Sequence, residues 1–169
     1  MNGRKPENQE EMEQITREYV GIHNRRHPGT MSSMTHPQFV ECSFEEQTLT
    51  LAFAGEEWMR NPVGVMHGGI TAAVIDITMG MLTYVLAGQV MPPTISLQIS
   101  YLRPVPLGGR IIVRARADSV GRTKAALVAE LWSEEQPKKR LATGTGIYYT
   151  AGGPMAEWKY EPTQETKGE

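Results

Sequence analysis

The sequence predicts an α+β fold in which one curved antiparallel sheet wraps around a single apolar helix. Two observations support this prediction. The stretch from Gly68 to Gly88 is almost free of charge, and about four segments after it alternate between apolar and polar residues, as strands with one buried face do. A helix that is apolar nearly all round needs cover on most sides, and a curved sheet provides it.

Composition places the chain among ordinary soluble proteins of one domain. It has 169 residues, of which 40% are apolar and 21% charged, and its formal net charge is -2. A chain of this length can bury a full core. The small net charge gives no reason to expect nucleic acid or an anionic membrane as a partner. The single cysteine, Cys42, excludes an intrachain disulfide and favours a reducing, cytoplasmic location.

The first element is expected to be a helix from Glu7 to Arg26. Apolar residues recur in it at helical spacing, at Met12, Ile15, Tyr19 and Ile22. The residues before it are polar and lack the apolar core of a signal peptide. His23 and His27 have a spacing that can suit a metal, but no third ligand accompanies them at motif spacing. No metal is therefore expected.

Strands account for most of the remaining chain. Phe39 to Phe53 alternates and divides around Glu45 to Gln47 into two strands and a turn. Gly55 to Val65 is an irregular connection to the apolar helix. Later strands are expected at "TISLQISYLRP", "RIIVRARAD", "TKAALVAELW" and "RLATGTGIYYT". The resulting division is an N-terminal helix and connection at 1–38, a main domain at 39–151 and a mobile tail at 152–169.

The apolar helix contains one carboxylate, Asp76, and the sequence "HGG" precedes it by nine residues. The length of the helix would permit a membrane span, but its glycines, threonines and central acid argue against one. Asp76 could be a structural acid paired with an arginine. Gly68 and Gly69 could simply form a sharp turn into the helix. The neighbouring motif favours the other alternative, that Asp76 is a catalytic carboxylate.

That motif consists of Asn61, then Gly64, then His67-Gly68-Gly69, then Asp76. With "TISLQISYLRPVPLGGRI" and "SVGRT" further on, it resembles the hotdog-fold acyl-CoA thioesterases of the phenylacetic-acid-degradation (PaaI) type and the related mammalian thioesterase superfamily members. The resemblance covers roughly 61–150. It implies a hotdog fold, hydrolysis of an acyl-CoA thioester, and two subunits that pair to build two active sites.

The distance along the helix also favours pairing of two subunits, and it does so independently of the resemblance. His67 and Asp76 are nine residues apart, which is about 13 Å on a continuous helix. One substrate carbonyl cannot lie within hydrogen-bond reach of both the helix start and Asp76 of the same chain. If both act on one carbonyl, a two-fold axis must bring Asp76 from a second chain. A homodimer is therefore expected, and a tetramer of two dimers is left open.

The proposed chemistry divides among five candidate catalytic residues. Gly68 begins the helix, so its N–H can donate to a thioester oxygen. Asp76 acts as general base on water or as nucleophile. The resemblance implies that Thr94 helps to hold the attacking water. We expect Asn61 to orient the site and His67 to position the loop or the thioester. None of these steps requires a metal or other cofactor.

Substrate contacts are expected from a second set of residues that lie near the helix or in a later turn. Gly69 can add a second N–H at the helix start, Gly80 leaves space one turn after Asp76, and adaptable apolar side chains line the acyl pocket. Arg122 in "SVGRT" is the favoured contact for the phosphates of coenzyme A. The complete set is Gly69, Val63, Met66, Gly80, Gly121 and Arg122.

Two alternative functions remain. A hotdog dehydratase would act on an acyl thioester, but it typically has a helix Glu and a Pro-rich loop after the His. This chain has Asp76 and His-Gly-Gly in those places. A non-catalytic acyl-CoA binding protein would not need an acid at the thioester. A regulator of that kind would also carry a DNA-binding segment, and the first thirty residues predict one helix only.

Overall fold

The computed structural model describes residues 4–25 and 28–151. Three α-helices and a 3-10 turn lie within these residues: α1 (Gln9–Arg25), α2 (Met31–Met34), η1 (Glu57–Met59) and α3 (Gly68–Leu86). The strands are β1 (Gln38–Ser43), β2 (Thr48–Ala54), β3 (Thr94–Tyr101), β4 (Arg110–Val120), β5 (Lys124–Ser133) and β6 (Ala142–Tyr149). The predicted element order is confirmed, with α2 added in the connection before β1 and η1 added in the segment that was expected to be irregular.

All six strands form one antiparallel sheet in the order β1-β2-β4-β5-β6-β3. Alternate residues of β5 are buried, so one face of the sheet is apolar. This face covers α3, whose Ile75, Met79 and Leu82 are fully buried. The predicted α+β architecture of a curved sheet around one long helix is confirmed.

Helix α3 is not buried all round, and this corrects the expectation from its composition. A stripe along one side is only partly buried, and it includes Ala73, Asp76, Gly80 and Tyr84. A sheet covers a helix from one side only, so a single chain leaves the opposite side open. Among the described residues α3 alone is long and apolar enough to cross a membrane, but more than half of it is buried in the fold. Packing against the sheet accounts for its apolar composition.

Helix α1 lies against β1 and the C-terminal half of α3. Its first turn is capped by Asn8, whose side chain accepts the N–H of Glu11 at 2.9 Å. Further along, the rings of Tyr19 and Tyr84 stack with centroids 3.8 Å apart. Because Asn8 caps it, the helix begins at Gln9, two residues later than predicted. Its predicted last residue, Arg26, and the predicted tail at 152–169 lie outside the described residues.

Candidate active site

His67 is the N-cap of α3 and fixes how the helix begins. Its Nδ1 accepts the N–H of Gly69 at 2.9 Å, and its own N–H donates to the carbonyl of Met59 at 2.7 Å. The N–H of Gly68 has no acceptor among the described residues. As the first residue of the helix, Gly68 has no intrahelical acceptor either. The helix start therefore offers one free donor, from Gly68, and the expected second donor, Gly69, is already bonded.

The loop before α3 is held closed by Asn61. Its Oδ1 accepts the N–H groups of Val63 at 3.0 Å and Val65 at 3.2 Å. Gly64 has a φ of +91°, a backbone conformation that favours glycine. Asn61 and Gly64 of the motif therefore shape the loop that leads to His67. In this structure the side-chain oxygen of Asn61 is bonded to the loop backbone.

Asp76 is held by two hydroxyl groups that bind the same carboxylate oxygen. Thr94 donates to Oδ1 at 3.0 Å, and Tyr148 donates to Oδ1 at 2.8 Å. Among the described residues, no arginine or lysine pairs with Asp76, and its Oδ2 has no partner. The alternative of a structural acid paired with an arginine is therefore wrong for this part of the chain. The free Oδ2 lies on the partly buried side of α3.

A β-bulge at the start of β3 brings Thr94 to this carboxylate. Thr94 is paired with Tyr148 and Ser96 with Ile147, so Ile95 has no partner of its own in the register. Without the extra residue, strict alternation would place Thr94 on the outer face beside Ser96. The bulge turns it to the inner face, as bulges beside functional sites often do. The sequence identified Thr94 by family spacing, and this bulge is the physical reason it reaches Asp76.

Tyr148 is the site residue that sequence reasoning missed. Its side chain is buried, with 1% exposure, between Gly80 of α3 and Gly146 of β6. A Cβ added at Gly146 would lie 2.7 Å from the Tyr148 ring, and one added at Gly80 would lie 3.8 Å from it. The glycines at Gly144 and Gly146 in "TGTGIYY" were the available signal, because glycine inside a strand marks a close approach.

Tyr101 is a second residue that was not anticipated at the site. Its hydroxyl donates to the carbonyl of Gly68 at 3.0 Å, and its ring would lie 3.5 Å from a Cβ added at Gly68. The end of β3 thus supports the first residue of α3. The predicted alternation of β3 assigned Tyr101 to the apolar face but gave no indication of this contact.

Comparisons with known proteins bear on the family and the fold of this chain. Residues 63–139 match the family profile described as "Thioesterase superfamily". The match covers α3 and strands β3 to β5, a little less than half of the chain. The acyl-coenzyme A thioesterase THEM4 of Bos taurus is 32% identical over 104 residues, which are 62% of this chain and 41% of THEM4. The chain therefore spans about two fifths of the length of that relative.

Solved structures show the same fold. The PaaI protein of the E. coli phenylacetic acid degradation operon has a TM-score of 0.69 and 16% identity, covering 86% of this chain and 96% of that protein. The protein smu.793 of Streptococcus mutans, solved bound to acetyl CoA, has a TM-score of 0.61 and 22% identity, covering 69% and 89%. The predicted relationship to hotdog thioesterases of the PaaI type is confirmed.

The remaining predicted substrate contacts of the hotdog domain are dispersed. Val63 is 82% exposed beside the start of α3, whereas Met66 is 3% exposed and packs in the core. The role of the Met66 side chain in an acyl pocket stays a prediction. Gly121 and Arg122 form the β4–β5 turn, and Thr150 after β6 donates to the carbonyl of Gly121 at 3.0 Å.

The turn with Arg122 lies at the same end of the sheet as the ligands of Asp76. Lys124 after the turn pairs with Tyr149, and Tyr148 pairs with Thr94. Three other arginines of the hotdog domain are already paired with acids: Arg110 with Glu134, Arg114 with Glu46 and Arg116 with Asp118. Arg122 is exposed and has no ion pair among the described residues, so it is available to an anionic ligand.

The described residues contain no group of three metal-ligating side chains. His23 is instead engaged by the carbonyl of Ser32, 2.9 Å from its Nε2, and burial lowers the pKa of its imidazole. His27, its predicted companion, lies outside the described residues.

Proposed function

We propose that this protein is an acyl-CoA thioesterase that works as a homodimer. The N–H of Gly68 stabilises the thioester oxygen, and Asp76 of the other subunit activates water or attacks the thioester carbon. Each subunit would thus contribute to two sites. The family match over 63–139 and the name of the bovine relative, an acyl-coenzyme A thioesterase, support this assignment.

The proposal depends mainly on the hydrogen bonds of the Asp76 carboxylate. Thr94 and Tyr148 both donate to Oδ1, so the orientation of the carboxylate is fixed while Oδ2 has no described partner. Holding a carboxylate in an apolar helix without an ion pair costs stability. Such a cost is typical of functional sites, where the group serves chemistry. A fixed carboxylate with one free oxygen is suited to take a proton from water or to attack a carbonyl.

The start of α3 supports the second half of the proposal. The free N–H of Gly68 lies at the positive end of the helix dipole. A thioester oxygen gains negative charge as its carbonyl is attacked, and a donor that is already aligned stabilises that charge. Glycine leaves the approach to this N–H open, because it has no side chain.

The separation between these groups supports a second subunit. Gly68 and Asp76 are eight residues apart on one helix, which is about 12 Å. The partly buried side of α3 carries small residues, including Ala73 and Gly80, that permit close approach of another helix. Strand β3 is an edge strand with exposed Ile95 and Tyr101, and such edges commonly pair with another chain. Two antiparallel α3 helices would place each Gly68 near the partner's Asp76.

The expected substrate is the CoA thioester of a small or medium acyl or aryl acid. The neighbour from Streptococcus mutans was solved with acetyl CoA, and the exposed guanidinium of Arg122 would meet the phosphates of coenzyme A. The proposed chemistry uses no metal or cofactor, and we retain a cytoplasmic location in the proposal. A tetramer of two such dimers is compatible with the same site.

The test is release of free coenzyme A from a panel of short-chain, long-chain and aryl acyl-CoAs. We expect wild type to hydrolyse at least one member, and Asp76→Asn to lose about 10²- to 10⁴-fold in kcat, the usual effect of losing a general base. Asp118→Asn is the matched control, because it makes the same change at an exposed aspartate on β4. Full hydrolysis by Asp76→Asn would overturn the proposal.

The same panel, with a 3-hydroxyacyl-CoA added, separates the alternative functions. A non-catalytic acyl-CoA binding protein would bind members of the panel without releasing coenzyme A. A dehydratase would instead change the absorbance of a 3-hydroxyacyl-CoA as it forms the conjugated enoyl thioester, and the thioester would remain intact. The free carboxylate oxygen at Asp76 favours hydrolysis over both.

A further inference from the structure

We propose that Tyr148 is a positioning residue that holds Oδ1 of Asp76 and thereby leaves Oδ2 as the reacting oxygen. This inference rests on the proposed function, and it assigns a role to a residue of β6 beyond the motif around α3. Tyr148 acts through Asp76 and has no proposed contact with the substrate.

The contact is short and joins two secondary-structure elements. The Tyr148 hydroxyl lies 2.8 Å from Oδ1 of Asp76 and 3.4 Å from the carbonyl oxygen of the same residue. The bond to Oδ1 links β6 to the middle of α3. Because a hydrogen bond to a charged group is stronger than one between neutral groups, this contact restricts rotation of the carboxylate.

The packing around the Tyr148 ring leaves little room for the hydroxyl to change position. The ring lies between Gly146 on its own strand and Gly80 on α3, and the side chain is almost completely buried. A phenylalanine would fill the same apolar space. A tyrosine differs from a phenylalanine here only by its hydroxyl, and that hydroxyl donates to Asp76.

The hydroxyl is also a permanent donor. Burial, followed by the negative charge of Asp76, raises the pKa of Tyr148 far above its ordinary value. The phenol therefore keeps its proton over the pH range in which an enzyme works. Thr94 is the other side chain bonded to Asp76, and its hydroxyl does not titrate. Among the described residues, Tyr148 is thus the only titratable side chain that is hydrogen-bonded to the carboxylate.

The main test compares Tyr148→Phe with Tyr149→Phe, which removes the hydroxyl of the neighbouring tyrosine on the opposite face of β6. We expect Tyr148→Phe to lower kcat about 10- to 100-fold, the scale of a misplaced catalytic group, and to change KM less than about two-fold. Tyr149→Phe should match wild type. Wild-type kcat in Tyr148→Phe would overturn the inference.

A double variant separates positioning from a merely structural role. If Tyr148 acts through Asp76, adding Tyr148→Phe to Asp76→Asn should lower kcat by less than about two-fold further. A structural role elsewhere would lower the rate in both backgrounds by the same factor. Equal factors would therefore contradict the inference.

The pH profile gives a second signature. Loss of a hydrogen bond to its charged form makes a carboxylate hold its proton to higher pH. The acid limb of kcat/KM should therefore move to higher pH in Tyr148→Phe and stay in place in Tyr149→Phe. An unmoved acid limb in Tyr148→Phe would count against the inference.

One measurement does not depend on turnover and keeps the two proposals separable. The side-chain carboxyl signal of Asp76 can be followed by 13C NMR as the pH is lowered, in wild type and in Tyr148→Phe. We expect the titration to move to higher pH in the variant. A wild type without hydrolysis would overturn the proposed function, whereas an unchanged carboxyl signal would overturn the role of Tyr148 alone.

Gly146→Ala tests the same contact with the hydroxyl still present. The added Cβ would lie 2.7 Å from the Tyr148 ring and 3.1 Å from Cε of Met79, so the ring must move. We expect kcat to fall toward that of Tyr148→Phe in the folded variant. An unchanged carboxyl signal of Asp76 in Gly146→Ala, together with unchanged kcat, would contradict the inference.

Discussion

Nδ1 of His67 lies 2.9 Å from the backbone nitrogen of Gly69, and it accepts the hydrogen bond. The ring nitrogen therefore carries no proton at this position, and the neutral imidazole holds its proton on Nε2. The bond caps α3 and uses the donor of Gly69. It leaves Gly68 to supply the free N–H at the helix start.

Gly68→Pro removes this N–H with little disturbance of the helix. Proline is well tolerated at the first helical position, and His67 has φ -61° and ψ 136°, the extended backbone that a residue before proline adopts. We expect kcat for acyl-CoA hydrolysis to fall about 10²- to 10³-fold, as when one oxyanion donor is lost. Steady-state kinetics and a melting curve measure the two effects separately.

Gly68→Ala is the control for this change because it keeps the N–H. Its Cβ would lie 3.5 Å from the Tyr101 ring, an ordinary van der Waals contact. We expect a kcat within a few-fold of wild type, on the scale of a small steric change. Equal losses in Gly68→Ala and Gly68→Pro would show that the side chain, not the donor, matters at this position.

His67→Ala removes the cap of α3. Loss of an N-cap costs about 1 kcal/mol, which lowers Tm by about 2–4 °C for a protein of this size. His67→Asn should keep Tm close to that of wild type, because asparagine is among the preferred N-cap residues. Calorimetry of the three proteins checks this, and equal Tm values for wild type and His67→Ala would contradict the capping role.

Gly144→Ala tests how closely α3 lies on β6. An added Cβ would be 2.7 Å from Cγ2 of Ile75 and 3.0 Å from Cδ1 of Ile99. Overpacking of this kind costs about 1–3 kcal/mol, which urea denaturation measures. Gly80→Ala is the matched change on α3, and its Cβ would be 3.8 Å from the Tyr148 ring. Within its own chain this change should cost less than Gly144→Ala, since the contact is ordinary and alanine favours helix over glycine.

The buried imidazole of His23 should make the folded protein less stable in mild acid. Burial lowers the pKa of its imidazole in the folded chain, against a smaller opposing effect of the carbonyl of Ser32. The unfolded chain therefore binds the proton more readily, and stability falls as the pH drops through the unfolded value of about 6.5. We expect the change in Tm between pH 7.5 and pH 5.5 to be smaller for His23→Gln than for wild type. Equal changes would contradict the role of His23.

Most of the fold could be predicted because its periodicities are strong. The alternation of "RIIVRARAD" predicted a strand with Ile111, Val113 and Ala115 buried, and all three are buried in β4. The uncharged stretch from Gly68 predicted α3 to within two residues of its end at Leu86. What composition could not give was the open side of α3, because an apolar helix has the same pattern whether the sheet or another chain covers it.

The site was predicted only as far as its motif. Spacing from Asp76 identified Thr94, but alternation alone places that residue on the outer face, and the bulge at Ile95 has no clear sequence signal. Tyr148 is 72 residues from Asp76, and only the packing of α3 on β6 brings the two together. Contacts of this kind depend on strand order, which periodicity within a segment does not determine.

In the proposed dimer, each active site combines Gly68 of one subunit with Asp76 of the other. Mixing two inactive variants, Gly68→Pro and Asp76→Asn, tests whether the site is shared in this way. A heterodimer of these chains has one site with both groups intact, because the Gly68→Pro chain supplies Asp76 and the Asp76→Asn chain supplies Gly68. Half of the dimers are mixed after random exchange, so about a quarter of wild-type activity should return.

The measurement is hydrolysis of the best acyl-CoA substrate after the two variants are unfolded and refolded together, with each variant refolded alone as the control. A shared site should restore about a quarter of the wild-type rate in the mixture only, since only mixed two-fold dimers hold an intact site. If mass spectrometry shows that mixed dimers have formed and the activity stays at the level of the separate variants, both groups act within one chain and the shared site is wrong.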